Sequence, residues 1–426
     1  MARGKPAGLR LETAERSQIE FQQSRLDDLL SADHRARQVW DYVEGLDLGV
    51  LYSRVRTTVQ STGRPAIDPA ILMSLWLYGT LEGVGSARLL DRLCTSDTAY
   101  RWLCGGVSVN YHTLSDFRSE AGPVLDDLLS RSMVGLIASG LVDVQTIAVD
   151  GLRVRASAGS GSFRSGKRLA ELHAAAKDAV EQLRAEVEED PASAERRTRA
   201  RRRAVAEDRL QRLEEARRAH AELEDQRKEA DRKQRRQKPR GDKPVRASTS
   251  DPQARVMKMG DGGYRPAYNV QITTAAEGAH IIGVSVTNHG TDHGLVKPAV
   301  DEVERRYGIK PRRALADGGY YGKADIEALH AEKIELFCPF PRKGKGDPAA
   351  PRRGDKAGTI AWRQRMASEQ GRATYKRRFA TERPHAHMRN HGLQRLLLKG
   401  ANKVKAVLLW HVHAFNFLQF KRLAWI

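Results

Sequence analysis

The run Val144-Gln145-Thr146-Ile147-Ala148-Val149-Asp150-Gly151 is where the chain changes its period. Upstream, apolar residues recur at helical spacing. Here β-branched residues crowd together, and a carboxylate closes the run. It reads as a strand with Asp143 and Asp150 at its two ends. Gly151 then lets the backbone turn sharply or approach a ligand.

Working outward, residues 1–32 form a polar segment with a basic start. Residues 33–125 read as a helical domain. Asp33 is a suitable N-cap for a helix carrying Val39, Trp40, Val43 and Leu46 on one face. Asp68-Pro69 opens a helix over Ala70–Leu81 that is apolar nearly all round, as the core of a helical domain would be. Short helices follow, separated by Gly83, Gly85 and the pair Gly105-Gly106. This pattern suits helix-turn-helix-like DNA binding, and equally a dimerisation or packing domain.

Downstream, residues 126–426 read as one domain with an insertion at 166–246. Ala156–Gly166 is a flexible Ser/Gly patch. Leu169, Leu172, Ala176, Val180, Leu183 and Val187, then Val205, Leu210, Leu213, Ala216 and Leu223, keep helical spacing on either side of Asp190-Pro191. They predict a coiled-coil-like antiparallel hairpin, followed by a basic linker from Lys233 to Arg246. Strands return at Ala267–Thr274 and His280–Thr287, joined by the turn Ala276-Glu277-Gly278. A helix from Asp292 to about Tyr307, a strand at Arg313–Ala316, a helix at Lys323–Glu332 and a strand at Ile334–Cys338 come next. Lys403 to about Arg422 is a packing helix. Without the insertion the order is β, β, β, α, β, α, β, α, an α/β mixed sheet with helices on its faces.

The composition bears on partners. Lys and Arg number 73 against 53 Asp and Glu, a net charge of +20, and the pI is about 10.0. Such an excess points to a polyanion. No apolar run approaches the length needed to span a bilayer, so no membrane partner is expected. Three cysteines without a C-x-x-C pair argue for a reducing cytoplasm and against structural zinc.

The densest cationic stretch is Tyr375-Lys-Arg-Arg-Phe-Ala-Thr-Glu-Arg-Pro-His-Ala-His-Met-Arg389, with Glu382 its single acid. Pro384 suits a first helical turn, which places Glu382 where the helix dipole favours a carboxylate. Asp150, Asp317 (followed by two glycines) and Glu382 thus stand at strand ends and a helix start, which converge at one edge of such a sheet. Three acids in a basic protein repel one another unless a cation joins them. Two magnesium ions would make them a clamp for phosphoryl transfer on nucleic acid. Each has a plainer reading: Asp-Gly pairs form turns, and Glu382 can pair with Arg378 four residues earlier. Asp143, Asp261 and Asp325 are rival acids, with Asp261 reading as a hairpin turn and Asp325 as a surface helix residue. His385, His387 and His391 read as solvated and phosphate-facing.

Tyr375, Arg378 and Glu382 fit the Tyr-x2-Arg-x3-Glu-x6-Lys signature, with Arg389 where Lys is usual. On these residues the chain resembles the DDE transposases of bacterial insertion sequences. Gly63–Pro69, Tyr78–Gly83, Arg101–Gly106 and His112–Arg118 resemble their helical N-terminal domain. Val149-Asp150-Gly151 and Ala316-Asp317-Gly318-Gly319-Tyr320 resemble their first two catalytic blocks, and Tyr268–Gln271 and Thr287–Gly290 the strands between.

The resemblance implies an RNase H-like catalytic domain in which Asp150, Asp317 and Glu382 bind two Mg2+ ions, or Mn2+. It implies DNA contacts by Tyr375, Arg378 and Arg389, although Arg389 does not keep the point-charge geometry of Lys. The expected function is DNA transposition: binding the double-stranded terminal inverted repeats, hydrolysing a phosphodiester at each end, and joining it to target DNA. A homodimer or higher oligomer on DNA is expected, in a bacterial cytoplasm. The alternatives are a transposition-inactive DNA-binding protein and a metal-dependent DNA endonuclease with the same fold.

Overall fold

The computed structural model describes residues 25–57, 65–189, 196–233, 244–341 and 347–423. Most of the polar segment at 1–32, the Gly63-Arg64 break, the Asp190-Pro191 interruption and most of the linker after Lys233 lie outside the described residues.

The helical region begins with Arg35–Glu44. Its N-cap is His34, whose ring accepts the Ala36 N–H, and not Asp33 as the sequence suggests. Pro69–Leu81 is capped by Asp68 with proline at its first position, and every residue in it is buried. Of the helices that follow, Ala87–Ser96, Thr98–Cys104, Tyr111–Glu120 and Gly122–Ala138, the second and third pack against it, as does Arg35–Glu44. Gly105 closes the second of these in the left-handed region, at φ 57°.

Eight strands follow: β1 (Thr146–Arg155), β2 (Phe163–Arg164), β3 (Ala247–Ser248), β4 (Arg255–Lys258), β5 (Tyr264–Ala275), β6 (Ile281–Thr287), β7 (Arg313–Ala316) and β8 (Glu335–Phe337). The main sheet runs β8-β7-β1-β5, with β4 and β6 each paired to β5. β1 is antiparallel to β5 and parallel to β7, and β7 is parallel to β8. This is the mixed sheet of an RNase H-like domain, with β1 at its centre. Helices Val296–Tyr307 and Lys323–Ala331 make the crossovers that parallel strands require.

The Ser/Gly patch after β1 is more ordered than its composition suggests: buried Phe163 lies in β2, which pairs with β3. Helices Gly166–Glu189 and Arg196–Lys233 form the hairpin around a small core of Leu169, Ala176, Leu213, Ala216 and Ala219. Val205, assigned to that seam from its spacing, is exposed.

The last helix, Ala401–Arg422, ties the halves together. Trp410 donates to the Arg118 carbonyl at 3.2 Å, and His413 reaches the Leu125 carbonyl at 2.8 Å. On its other side Asn416 meets both the N–H and the C=O of Ile281 in β6. This amide supplies the backbone partners of a strand end where the β5–β6 register shifts. One hydrophobic core therefore runs from Ala36 through the sheet to Phe420.

Candidate active site

Strand register builds the first half of the site. β7 runs beside β1 until Val149 pairs with Ala316. The next residues are Asp150 and Asp317, so two acids distant in sequence start from neighbouring backbone positions about 5 Å apart. β1 does not end there, contrary to the sequence expectation. It continues to Arg155 against β5, and Asp150 lies inside it. Only its pairing with β7 stops, which opens the sheet on that side.

Asp150 is well held. Its Oδ1 accepts the Gly151 N–H at 2.9 Å, and its Oδ2 accepts from Arg378 Nη1 at 3.1 Å and Thr381 Oγ1 at 3.2 Å. The His385 ring stands 3.8 Å away. Burial raises the Asp150 pKa despite the Arg378 charge and these hydrogen bonds, and the Asp292 charge adds to the rise. Asp317 caps the turn Gly318–Tyr320 by accepting the Gly319 N–H at 2.7 Å. Its pKa is also raised, first by burial and then by Asp150 and Asp292, against the Gly319 bond and Arg378.

Glu382 is different. It opens the helix Glu382–Asn390, but a 3-10 turn (Arg377–Thr381) and the helix Glu369–Lys376 run directly into it. The free helix end that the sequence implied is therefore absent. Its side chain is 67% exposed, with Arg378 Nη2 at 3.7 Å. Arg378 thus stands between Asp150 and Glu382. Among the described residues, Asp150, Asp317 and Glu382 do not reach metal-ligand spacing of one another. The acidic trio that does, Asp301, Glu304 and Glu332, is paired with Lys297 and Lys310.

The other expected contacts divide. Tyr375 is half-buried, its ring 6.0 Å from the Arg378 guanidinium, and burial raises its phenol pKa. Arg389 is exposed. His385 is buried, while His387 and His391 stack on each other at 4.1 Å, with Phe415 against His387. The solvated, phosphate-facing reading of these histidines is therefore corrected: His385 faces Asp150 from a buried position, and His387, with His391 against it, packs on the last helix. Of the rival acids, Asp261 accepts the Gly263 N–H in its turn. Asp325 is half-buried near His293 rather than a surface residue.

Asp292 was not singled out as a site residue from sequence. It lies in the loop before Val296, where the helix begins, and not at the helix start. Its Oδ1 accepts from Asn269 Nδ2 at 2.7 Å and Gln271 Nε2 at 3.1 Å, and its Oδ2 is 3.4 Å from Arg153 Nη2. A Cβ on Gly151 would lie 2.6 Å from Asp292 Oδ1. Gly151 is thus required by the close approach of this carboxylate, and not by a turn. The sign in the sequence is Asn269 and Gln271, two amides spaced i, i+2 in one buried strand, which places them on one face.

Asp150 and Asp317 are half-buried carboxylates: the Asp150 charge raises the Asp317 pKa, and the Asp292 charge raises both. A hard divalent cation suits that set.

Two family matches agree with this geometry. Residues 24–120 match a transposase domain (DUF772), and residues 235–417 match the transposase DDE domain. No curated protein and no solved structure matches the chain. The DDE match contains Asp317 and Glu382 but starts after the hairpin, so Asp150 lies outside it and meets Asp317 through the pairing of β1 with β7.

Proposed function

We propose that this chain, a DDE transposase-family protein acting in DNA transposition, binds the terminal inverted repeats of an insertion sequence, cleaves a phosphodiester at each end and joins the freed 3′ hydroxyl to target DNA. The observation that carries this reading is the register that sets Asp150 beside Asp317.

Asp150 and Asp317 would hold the divalent cation from the sheet, and Glu382 would complete the set from its exposed position on the helix. The cations, two Mg2+ or Mn2+, supply a polarised attacking oxygen and charge stabilisation at the leaving oxygen. With Glu382 and Asp150 engaged, Arg378 is released to pair with a phosphate, braced by the Tyr375 ring. Arg389, exposed one helical side away, would contact the DNA backbone. A cleft of about 950 Å3 between the hairpin and residues 288–291 is lined by Arg246 and Arg255, which would offer further phosphate contacts. Paired cleavage of two ends calls for a homodimer or higher oligomer on DNA.

The test is cleavage of labelled end-sequence DNA by Asp317→Asn in Mg2+, with binding measured in parallel. Cleavage should fall on the order of a hundred- to a thousandfold, with binding retained and still weakening steeply with salt. Undiminished cleavage by this variant would remove Asp317 from the site.

A further inference from the structure

We propose that Asp292 is a fourth carboxylate of the metal pocket, acting through a bound water on the cation held by Asp150 and Asp317. This rests on the metal-dependent reading above and extends it to a residue outside the three-acid set.

The first support is position. Asp292 approaches β1 over Gly151, on the face opposite Asp150, since successive strand residues alternate. Beyond Val149 and Ala316 the strand β7 no longer flanks β1, and the Asp292 charge acts on both Asp150 and Asp317 at that opening. Asp317 stands there with Asp292: the point where a Gly319 Cβ would sit is 3.0 Å from Asp317 Oδ1 and 3.6 Å from Asp292 Oδ2.

The second support is how Asp292 is held. One oxygen is fixed by two amides, and those amides are themselves braced. Gln271 Nε2 donates to Asn269 Oδ1 at 3.0 Å, and the Tyr320 hydroxyl donates to Gln271 Oε1. The other oxygen has one long contact, to Arg153 Nη2, which also donates to the Gly290 carbonyl at 3.1 Å. An acceptor for two amides need not be charged. A carboxylate here raises the electrostatic cost of ionising both neighbouring acids, and a cation among them relieves it.

The third support is His385, which is nine-tenths buried. Its Nδ1 faces Asp150 Oδ2 at 3.8 Å and its Nε2 has no partner among the described residues. Its outer nitrogen is a buried polar atom left without a partner on a ring that stands beside Asp150.

Asp292→Asn keeps the size of the side chain and the acceptor that faces Asn269 and Gln271. Mn2+ binding to the full chain, followed by the paramagnetic resonance of free Mn2+, should weaken at least tenfold in this variant, with an unchanged circular dichroism spectrum. Unaltered Mn2+ affinity in Asp292→Asn, while Asp150→Asn loses the ion, would overturn the proposal alone. Unaltered binding in both variants would overturn the metal-dependent reading beneath it. A measurement on the unsubstituted protein covers a variant that fails to fold. Fe2+ with ascorbate and peroxide should cut the backbone near residues 150, 292 and 317, and cuts at 150 and 317 without one near 292 would also refute the role.

Discussion

The acids on the sheet and the acid on the helix are built by different physics. Asp150 and Asp317 take their places from backbone hydrogen bonds between β1 and β7, and their burial raises both pKa values. Glu382 hangs from a helix surface, mostly in solvent, 3.7 Å from a guanidinium. The sheet therefore fixes one side of the site before any ligand arrives, at an electrostatic cost. The helix side is adjustable and nearly free of cost. A site that must admit DNA and cations gains from that split, because only the exposed arm has to move.

The sharpest way to break the comparison is Glu382→Gln. Cleavage of end DNA should drop on the order of a hundred- to a thousandfold, while denaturant stability changes by less than about 0.5 kcal/mol, as for an exposed position. A large stability loss would show that Glu382 is as embedded as the strand acids. Gly151→Ala probes the fixed side. The new Cβ meets Asp292 Oδ1 at 2.6 Å and the Gln271 amide at 3.0 Å, so unfolding should become easier by about 1–3 kcal/mol. Gly161→Ala, with nothing within 4 Å, is the control and should change little.

Arg378→Ala removes the cation between the two kinds of acid. Asp150 then loses its opposite charge in a half-buried position, and stability at neutral pH should fall by roughly 1–2 kcal/mol. Because an ionised carboxylate with a raised pKa costs stability, that loss should shrink as acid protonates Asp150. A deficit that persists undiminished in acid would mean that Arg378 acts through packing.

Acid also separates the two regions. Burial pushes His385 and His387 down to about 4 from 6.5, and His411 down to about 3. Folded, they stay neutral; unfolded, they take up protons below 6.5. Their stabilisation is complete above that pH and declines as pH falls toward their folded values. Calorimetry from pH 7 to 4 should show a falling melting temperature, and replacing His387 by Gln should flatten the slope slightly. An unchanged slope would place His387 in water, as the sequence first suggested.

Local signals carried much of this. The buried helix at Pro69–Leu81 was legible from its apolar run and its Asp-Pro cap. Strand β1 was legible from its β-branched run, and Glu382 stood out as a candidate by its isolation among cations. The histidines of the last catalytic helix were misread because charge density there suggested solvent, whereas Phe415 and His411 on a helix later in the chain cover them. Asp292 looked like the first residue of a helix, since nothing local shows that Asn269 and Gln271, more than twenty residues earlier, reach it.

The residue types, their spacing and their charge by themselves determined the mixed α/β order, pointed to a polyanion partner and put forward Asp150, Asp317 and Glu382 as candidates. Only the tertiary structure decided that β1 continues past Asp150 and that Arg378 stands between Asp150 and Glu382. It also decided that Gly151 makes room for Asp292. Propensity and periodicity act over a few neighbouring residues, while these contacts arise from strand pairing and loop closure across long separations, which no local pattern records.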